Sequence, residues 1–438
     1  MKNDSTEYFP LRSIQKNNPF KAGDTLVVFG EVFERGYVNG LIDEAKAHGL
    51  NIIYATVGRR DAELNLRALT PEELDAKGHG PIINIPLEAG FDLDRDDTGV
   101  RPVDQLKDYG LTGWQEAKLD WKSIEQSRSH GIERFRKNVK LFLNEVEKRI
   151  DTSKNLIFVH TMAGGFPRAR VVMPIANRIF KGSGARYASS EEFWSSEIGQ
   201  LCEKSFSEVT AQTLAHLIEL SKPLRIKVES TGANVCYCAY GYHGNEVMIG
   251  DTYQWYSYSP YLQGFAKTEL ENIARNASAA DVKCTVFNVP EILTNSSSIF
   301  LGVEVVLYPL LRALRHENPS SALVKNLTDS CKAKLKDGVE VSEIDQITQN
   351  YLNNPKVRAW PSLKGWPQHN HPDQMELMRT CSATLIELHK SQNDLMTADL
   401  SEVVFRACGK VMYHEIASPR TSVAWICHDL VAKVATQS

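Results

Sequence analysis

The sequence predicts an α/β fold in which a doubly wound parallel sheet carries helices on both faces and a helical extension follows at the C-terminus. Short apolar runs that are typical of buried strands alternate with longer stretches of helical periodicity. The first unit has a strand at residues 25–29, a helix around 41–45 and a second strand at 51–55. Strands that alternate with helices in this way form mostly parallel sheets. Further strands are predicted at residues 81–85, 156–160, 235–240 and 284–289, and long helices at 121–149 and 192–220.

The pattern becomes helical after about residue 317. Two apolar stripes at helical spacing indicate packing surfaces; they comprise Met375, Met378, Cys381 and Leu385, and Val423, Ile426, Cys427 and Leu430. We therefore expect a core domain over residues 1–316, with an insertion at about 91–120. A helical extension over residues 317–438 is expected to pack on it.

The composition is that of an ordinary soluble globular protein. Of the 438 residues, 42% are hydrophobic and 24% are charged, and the formal net charge of −4 argues against a nucleic-acid-binding surface. Residues 1–21 lack the apolar stretch of a signal peptide, so we expect a cytoplasmic protein. The longest apolar run, at 299–314, is interrupted by Glu304, Pro309 and Arg312. It predicts a buried helix and not a membrane span.

The cysteines and histidines do not form a recognisable metal-binding pattern. Eight cysteines are scattered along the chain, and the close pair Cys236 and Cys238 has one residue between its members, unlike redox or zinc-binding pairs. We interpret them as reduced thiols of a cytosolic core. His369 and His371 have no second ligand pair at a zinc-binding spacing, so we expect a surface loop there and no metal.

The turn after the first predicted strand carries Gly30, Gly36 and Gly40. Between a strand and a helix, glycine lets the backbone turn tightly and approach a pyrophosphate, whose charge meets the N–H groups of the helix N-terminus. The spacing departs from the G-x-G-x-x-G pattern, and the alternative is that the glycines serve backbone geometry alone. We favour a Rossmann-type dinucleotide site, and the residues expected to contact the cofactor in this turn are Gly30, Phe33, Gly36, Tyr37 and Val38.

Two arginines, Arg59 and Arg60, follow the second predicted strand. At this place an NAD enzyme usually presents a carboxylate to the ribose 2′-hydroxyl, whereas an NADP enzyme presents a cation to the 2′-phosphate. The arginines therefore favour NADPH, with NADH as the alternative. In that alternative they are solvated surface charges, or Asp61 binds the ribose.

A tyrosine-rich segment at residues 251–267 ends at Lys267 and runs into a predicted helix over 268–276. A reductase that sends hydride to one carbon must also deliver a proton or a hydrogen bond where negative charge accumulates. A tyrosine beside a lysine ammonium can do this, because the cation makes the phenolate less costly. The alternative is that the tyrosines form an aromatic packing cluster.

In this segment the sequence resembles the short-chain dehydrogenase/reductase superfamily, and within it the FabV-type trans-2-enoyl reductases. Tyr258 and Lys267 have the Tyr-x8-Lys spacing of that family, whereas the Tyr-x6-Lys spacing of FabI-type reductases would place Pro260 at the tyrosine. The resemblance continues at three other segments, residues 160–168, 238–242 and 290–298. The chain departs from the family in its longer first turn, the absence of an extended N-terminal segment and the apparent insertion after Phe91.

The resemblance implies an NADPH-dependent reduction of the C2=C3 double bond of an enoyl thioester on acyl carrier protein or coenzyme A. Tyr258 would stabilise or protonate the enolate, and Lys267 would hold the nicotinamide ribose. Further cofactor contacts are implied for Thr161, Met162, Ala163, Pro290, Ile292 and Thr294, and substrate contacts for Tyr240, Tyr242, Tyr261 and Ser297. Reduction of a 3-oxoacyl thioester or a secondary metabolite, and NADP(H) binding without catalysis, are the alternatives. No nucleic-acid or membrane partner is expected, and a homo-oligomer is left open.

Overall fold

The structure is a computed structural model that describes residues 8–78, 80–242, 244–257, 262, 264–295, 300–359 and 369–437. Eight parallel strands form one sheet in the order β1-β12-β11-β8-β7-β2-β3-β6. This confirms the predicted doubly wound α/β fold, whose strand order reverses between β2 and β7. The strands are β1 (Pro10–Leu11), β2 (Thr25–Phe29), β3 (Asn51–Thr56), β6 (Ile82–Pro86), β7 (Leu156–His160), β8 (Val235–Gly241), β11 (Lys283–Asn288) and β12 (Val423–Ile426).

Two antiparallel pairs lie outside this sheet. They are β4 (Arg59–Arg60) with β5 (Leu66–Arg67), and β9 (Asn245–Ile249) with β10 (Thr252–Tyr256). The second pair forms a hairpin, and its strand β10 comes from the segment that the sequence analysis described as tyrosine-rich. Alternating polar and aromatic residues suit a half-buried strand of this kind.

The central strands are apolar throughout because both faces of the sheet are covered. In β2, Leu26 and Val28 point into one hydrophobic cluster, whereas Val27 and Phe29 point into another. Successive side chains of a strand point to opposite faces, so one five-residue run serves both cores. The predicted limits of this strand are confirmed.

The helices divide between the two faces. Leu41, Val305 and Val404 belong to the cluster on one face, and Phe142 and Leu270 belong to the cluster on the other. The helices are α1 (Val38–Ala47), α2 (Pro71–Asp75), α3 (Trp121–Glu147), α4 (Val172–Lys181), α5 (Ser190–Ser195), α6 (Glu197–Phe206), α7 (Thr213–Leu220), α8 (Lys222–Glu229), α9 (Gly264–Ala279), α10 (Val303–Glu317), α11 (Ala322–Lys334), α12 (Val341–Leu352), α13 (Pro355–Arg358), α14 (Pro372–Leu388), α15 (Thr397–Glu415) and α16 (His428–Thr436). A π-helical turn, Ser207–Gln212, joins α6 to α7.

A third hydrophobic cluster contains Phe91, Leu106 and Trp114, which come from the predicted insertion. They pack with apolar residues of α4 and α6, such as Val172 and Leu201. The residues after Phe91 therefore build a part of the core beside the carboxyl ends of the central strands.

The prediction of a helical stripe at residues 423–427 was wrong. Val423–Ile426 forms strand β12, which pairs with β11 through Val286 and with β1 at the edge of the sheet. A four-residue apolar run that is fully buried gives the same sequence signal in a strand as in a helix. Helix α16 begins only at His428. In the parts of the chain that the structure describes, no helix combines the length and apolar character needed to cross a bilayer.

Candidate active site

The first strand of the predicted unit, β2, ends beside the end of β7, and Gly30 is the residue that makes this approach feasible. Its φ of +135° is unfavourable for other residues, and a Cβ added there would lie 2.3 Å from Thr161 Oγ1. The backbone N–H of Thr161 donates a hydrogen bond of 2.9 Å to the Phe29 carbonyl. Gly30 therefore serves the close crossing of two strand ends at the point where the strand order reverses.

Two adjoining pockets open at this carboxyl edge, each enclosing about 230 Å³. The Lys267 pocket lies over the ends of β2, β7, β8 and β11. The Arg168 pocket lies over the ends of β2, β3, β6 and β7. Five residues line both pockets: Glu31, Phe33, Thr161, Met162 and Ala163. A crevice of this kind at the switch point of a parallel sheet is where this class of fold binds ligands.

Most of the predicted site residues meet in the Lys267 pocket. Those lining it are Phe33, Gly36, Tyr37, Val38, Thr161, Met162, Ala163, Tyr240, Tyr242, Lys267 and Thr294. Pro290 is connected to them because its carbonyl accepts a 2.8 Å hydrogen bond from the Tyr37 hydroxyl. Ile292 is fully buried in the hydrophobic core and does not line either pocket.

The N-terminus of α1 faces the Lys267 pocket through Gly36, Tyr37 and Val38. Its first N–H groups donate no hydrogen bond to the side chain of the N-cap residue, which is Tyr37. Uncapped N–H groups at the start of a helix attract anions. The donors in this turn therefore fit the pyrophosphate of a dinucleotide.

Lys267 is a buried cation on the first turn of α9. It is 5% exposed, and its Nζ donates a 2.7 Å hydrogen bond to the carbonyl of Tyr240 at the end of β8. Burial lowers the pKa of Lys267 to about 8, so most of the ammonium remains charged at neutral pH. Burial, and to a smaller extent the Lys267 charge, lowers the pKa of the neighbouring His160 to about 3. His160 is therefore neutral, and Lys267 supplies a buried positive charge to this pocket, which Arg35 also lines.

Neither predicted NADPH-selecting arginine lines a pocket. Arg59 pairs with Glu31 at 2.9 Å, and Arg60 pairs with Glu88 at 2.6 Å. Lys77 also contacts Glu31. Burial alone would raise the pKa of Glu31, but the hydrogen bonds from Arg59 and Lys77 outweigh burial and lower that pKa. The sequence reveals the cations but not these carboxylate partners, which are held against them by the fold.

The sequence analysis selects Tyr258 as the catalytic tyrosine. Tyr258, Tyr261 and Ser297 lie outside the residues that the structure describes. Tyr256, in contrast, is buried on β10, and its hydroxyl lies 3.2 Å from that of Tyr351 on α12. Tyr253 does not line either pocket. The roles of Tyr258, Tyr261 and Ser297 stay predictions.

Comparison with known proteins identifies the family of this chain. A sequence model of the enoyl-acyl carrier protein reductase FabMG matches residues 7–435. The chain belongs to the FabMG family. A solved apo structure of a FabMG enoyl-acyl carrier protein reductase is 43% identical, with a TM-score of 0.94, and the match covers 98% of both chains. An NADH-bound FabMG structure is 38% identical, with a TM-score of 0.78 and the same coverage. No curated protein matches the sequence.

Membership of the FabMG family confirms the prediction of a divergent enoyl reductase, and hence of an oxidoreductase. The motif resemblance pointed to FabV-type enzymes, whereas the match over nearly the whole chain is to FabMG. The two assignments agree in the reaction class. They differ in family because the motif comparison used short segments, whereas the family match also includes the helices after residue 317.

Four acidic side chains of this FabMG-family site were not foreseen from the sequence. Glu31 lines both pockets, Glu88 and Asp92 line the Arg168 pocket, and Glu291 lines the Lys267 pocket. Glu31 directly follows Gly30, and Glu291 directly follows Pro290, so their positions after strand ends were a usable signal. For Asp92 no comparable signal exists, because its partner Arg168 is 76 residues away in sequence.

Proposed function

We propose that this chain reduces the C2=C3 double bond of an enoyl thioester on acyl carrier protein, with NADH as the reductant. The observation that carries the proposal is the buried Lys267 ammonium, held on the Tyr240 carbonyl in the pocket that the α1 N-terminus also faces. Family membership supports the reaction class. The cofactor of an NADH-bound relative supports the reductant.

We place the dinucleotide across the two adjoining pockets. The N-terminal turn of α1, with Gly36 and Tyr37, would bind the pyrophosphate. Lys267 would hydrogen-bond the nicotinamide ribose, and Thr161 and Thr294 would lie along the cofactor. When bound, the reduced nicotinamide supplies a hydride to C3 of the substrate. The Lys267 charge then favours a nearby negative charge, which is the role of a cation beside a developing enolate.

The choice of NADH over NADPH follows from the charges of the Arg168 pocket. Glu31, Glu88 and Asp92 line it, together with the Arg168 guanidinium. Arg168 is already bonded to Asp92 at 2.6 Å and to Glu88 at 2.9 Å. A 2′-phosphate would have to compete with these carboxylates for each cation, whereas a ribose diol can donate hydrogen bonds to Glu31.

Tyr258 remains our choice for the phenol that hydrogen-bonds the thioester oxygen, because of its spacing from Lys267. Tyr240 and Tyr242 line the pocket and are proposed to contact the acyl chain. We also place the enzyme in the cytoplasm. All eight cysteines are free and buried, which suits a reducing compartment.

The test is a comparison of NADH and NADPH oxidation at 340 nm with crotonyl and longer trans-2-enoyl thioesters of acyl carrier protein and of coenzyme A. We expect turnover with NADH and the carrier-protein substrates. Lys267→Ala should weaken NADH binding and turnover, and Tyr258→Phe should lower kcat and kcat/KM together at unchanged NADH affinity. Lys283→Ala is the matched control, because that lysine bonds Asn234 at the opposite end of the sheet.

Two results would contradict the proposal. Oxidation of NADH with 3-oxoacyl thioesters and not with enoyl thioesters would indicate a ketoreductase. Tight NADH binding without turnover of any thioester would indicate a protein that binds the cofactor without catalysis. Full activity of Tyr258→Phe would leave the reaction class intact and refute the role given to that tyrosine.

A further inference from the structure

Glu291 is an acid in the Lys267 pocket that the proposed reaction does not yet use. It lies three residues beyond the end of β11, is partly buried, and lines the pocket with Tyr242. The Tyr242 hydroxyl donates a hydrogen bond to the Glu291 carboxyl group. Tyr242 is itself 7% exposed and follows the end of β8. An acid and a phenol are thus linked in the wall of the pocket that contains Lys267.

The surroundings of Glu291 favour its neutral form. Within the described residues Glu291 has no ion-pair partner, and burial raises its pKa to about 7 despite the hydrogen bond from Tyr242. The charge of Glu291 in turn contributes to a raised pKa at Tyr256, after the larger effect of burial. The other titratable and charged groups that line the pocket are Lys267, His160, Glu31, Arg35, Tyr37 and Tyr240.

We propose that Tyr242 and Glu291 form a proton-delivery pair for C2 of the substrate, distinct from the Lys267 and Tyr258 groups that act at the thioester oxygen. The inference rests on the proposed function. Hydride addition at C3 moves the π electrons of the double bond into an enolate, whose C2 must then form a C–H bond. When Glu291 is protonated, the hydrogen bond between the two side chains reverses, so that the carboxylic acid donates to the Tyr242 oxygen and the Tyr242 O–H is free to point at C2. Tyr242 then gives its O–H proton to C2, and its oxygen takes the proton of the Glu291 carboxylic acid. Solvent reprotonates Glu291, so each turnover consumes one hydride and one proton.

Two different acids are needed because two different atoms carry the charge. A group placed against the thioester oxygen stabilises the enolate at that atom. The same group is not positioned to transfer a proton to C2. A general acid works best when its pKa is close to the working pH. Tyr242 alone would have to leave a phenolate in a buried site, whereas the linked carboxylic acid removes that charge as it forms. Glu291 acts through Tyr242, so it is a positioning and proton-supplying residue.

The test uses the full-length enzyme with NADH and an enoyl thioester that the wild type reduces, and it measures kcat/KM from pH 5.5 to 9. The wild type should lose activity as pH rises through about 7, because the proton on Glu291 is lost there. Glu291→Gln should lower kcat about 100-fold at pH 6, within the usual range for a general acid, and should abolish the descending limb near pH 7. NADH affinity, measured by fluorescence, should be unchanged.

Three further variants separate proton supply from loss of structure. Glu291→Asp should recover part of the rate and restore a descending limb. Tyr242→Phe should lose as much rate as Glu291→Gln, and the double variant should lose little more, because the two residues act as a unit. Asp345→Asn is the matched control. Asp345 is also buried with a raised pKa, but it pairs with Arg315 on the helical side and lines neither pocket.

The inference is overturned if Glu291→Gln keeps wild-type kcat or keeps the descending limb near pH 7. It is also overturned if Tyr242→Phe and Glu291→Gln reduce the rate independently, since their effects would then multiply in the double variant. Failure of the proposed function is distinguishable from either result. In that case the wild type itself reduces no enoyl thioester, and the variants have no rate to compare.

Discussion

Gly40 was expected to serve the phosphate-binding turn, but in the structure it lies inside α1 and faces α15. A Cβ added to Gly40 would lie 1.9 Å from the carbonyl oxygen of Phe405 and 2.5 Å from its carbonyl carbon. Gly409 makes the reciprocal contact, because a Cβ there would lie 2.1 Å from the Gly40 carbonyl carbon. The two helices thus cross with their backbones in contact.

Gly40→Ala should therefore destabilise the protein, with a magnitude that the contact distance sets. A carbon and an oxygen that are not bonded need more than 3 Å, so the helices would have to separate by more than 1 Å at this point. Overpacking of a core costs about 1–3 kcal/mol, and a backbone neighbour that cannot rotate away places this site at the upper end. Alanine has a higher helix propensity than glycine, which stabilises the folded state by about 1 kcal/mol and offsets part of this cost. We expect a net loss of about 2 kcal/mol.

The measurement is urea unfolding of the wild type, Gly40→Ala and Gly36→Ala, with the midpoint and the m-value fitted separately. Gly36 is the matched control in the same segment, because a Cβ there would have its nearest neighbour at 3.8 Å. Gly36→Ala should change the free energy of unfolding by less than about 0.5 kcal/mol. Unfolding of Gly40→Ala at the wild-type midpoint would refute the close crossing of α1 and α15.

Two further predictions concern charge. The wild type should prefer NADH. Replacing Arg59 and Arg60 with methionine should leave the ratio of kcat/KM for NADH to that for NADPH nearly unchanged, because both arginines are bound to carboxylates. A wild-type preference for NADPH that is lost in this variant would restore the assignment made from the sequence. The raised pKa of Glu291 stabilises the folded state below about pH 4.5, and this contribution is lost as pH rises through about 7. Glu291→Gln should thus be more stable than the wild type at pH 8, by about 2 kcal/mol, and similar to it at pH 4.5; thermal melts at the two pH values measure this, and equal differences at both would contradict it.

The strands were predictable because each is an apolar run with clear limits. The strands predicted at residues 25–29 and 156–160 have those bounds in the structure, and that predicted at 235–240 ends one residue later. A buried strand flanked by glycine or polar residues carries its own signal. The two-residue edge strand β1 and the four-residue β12 do not, because they are strands only through pairing with distant segments.

Site residues could be predicted where they directly follow the end of a strand. They could not be predicted where their role depends on a partner that is distant in the sequence. Thr161, Met162, Tyr240 and Lys267 were expected together and do line one pocket. In contrast, the role of Arg59 depends on Glu31, whose carboxylate reaches it from another strand end. Pairing of charges between separate loops leaves no periodic signal in the sequence, so the sequence shows the arginine but not the carboxylate with which the fold pairs it.

The residues after 317 also help to shape the Lys267 pocket, because one of their helices contacts α1. Helix α15 holds α1 through the Gly40 contact, and the N-terminus of α1 is the part that faces the Lys267 pocket. The same C-terminal segment supplies β12 to the sheet next to β11, whose end leads to Glu291. A fold divided at residue 316 would thus separate the pocket walls from the elements that fix their direction. We therefore propose that the core and the C-terminal extension, although they differ in sequence pattern, act as one structural unit around the active site.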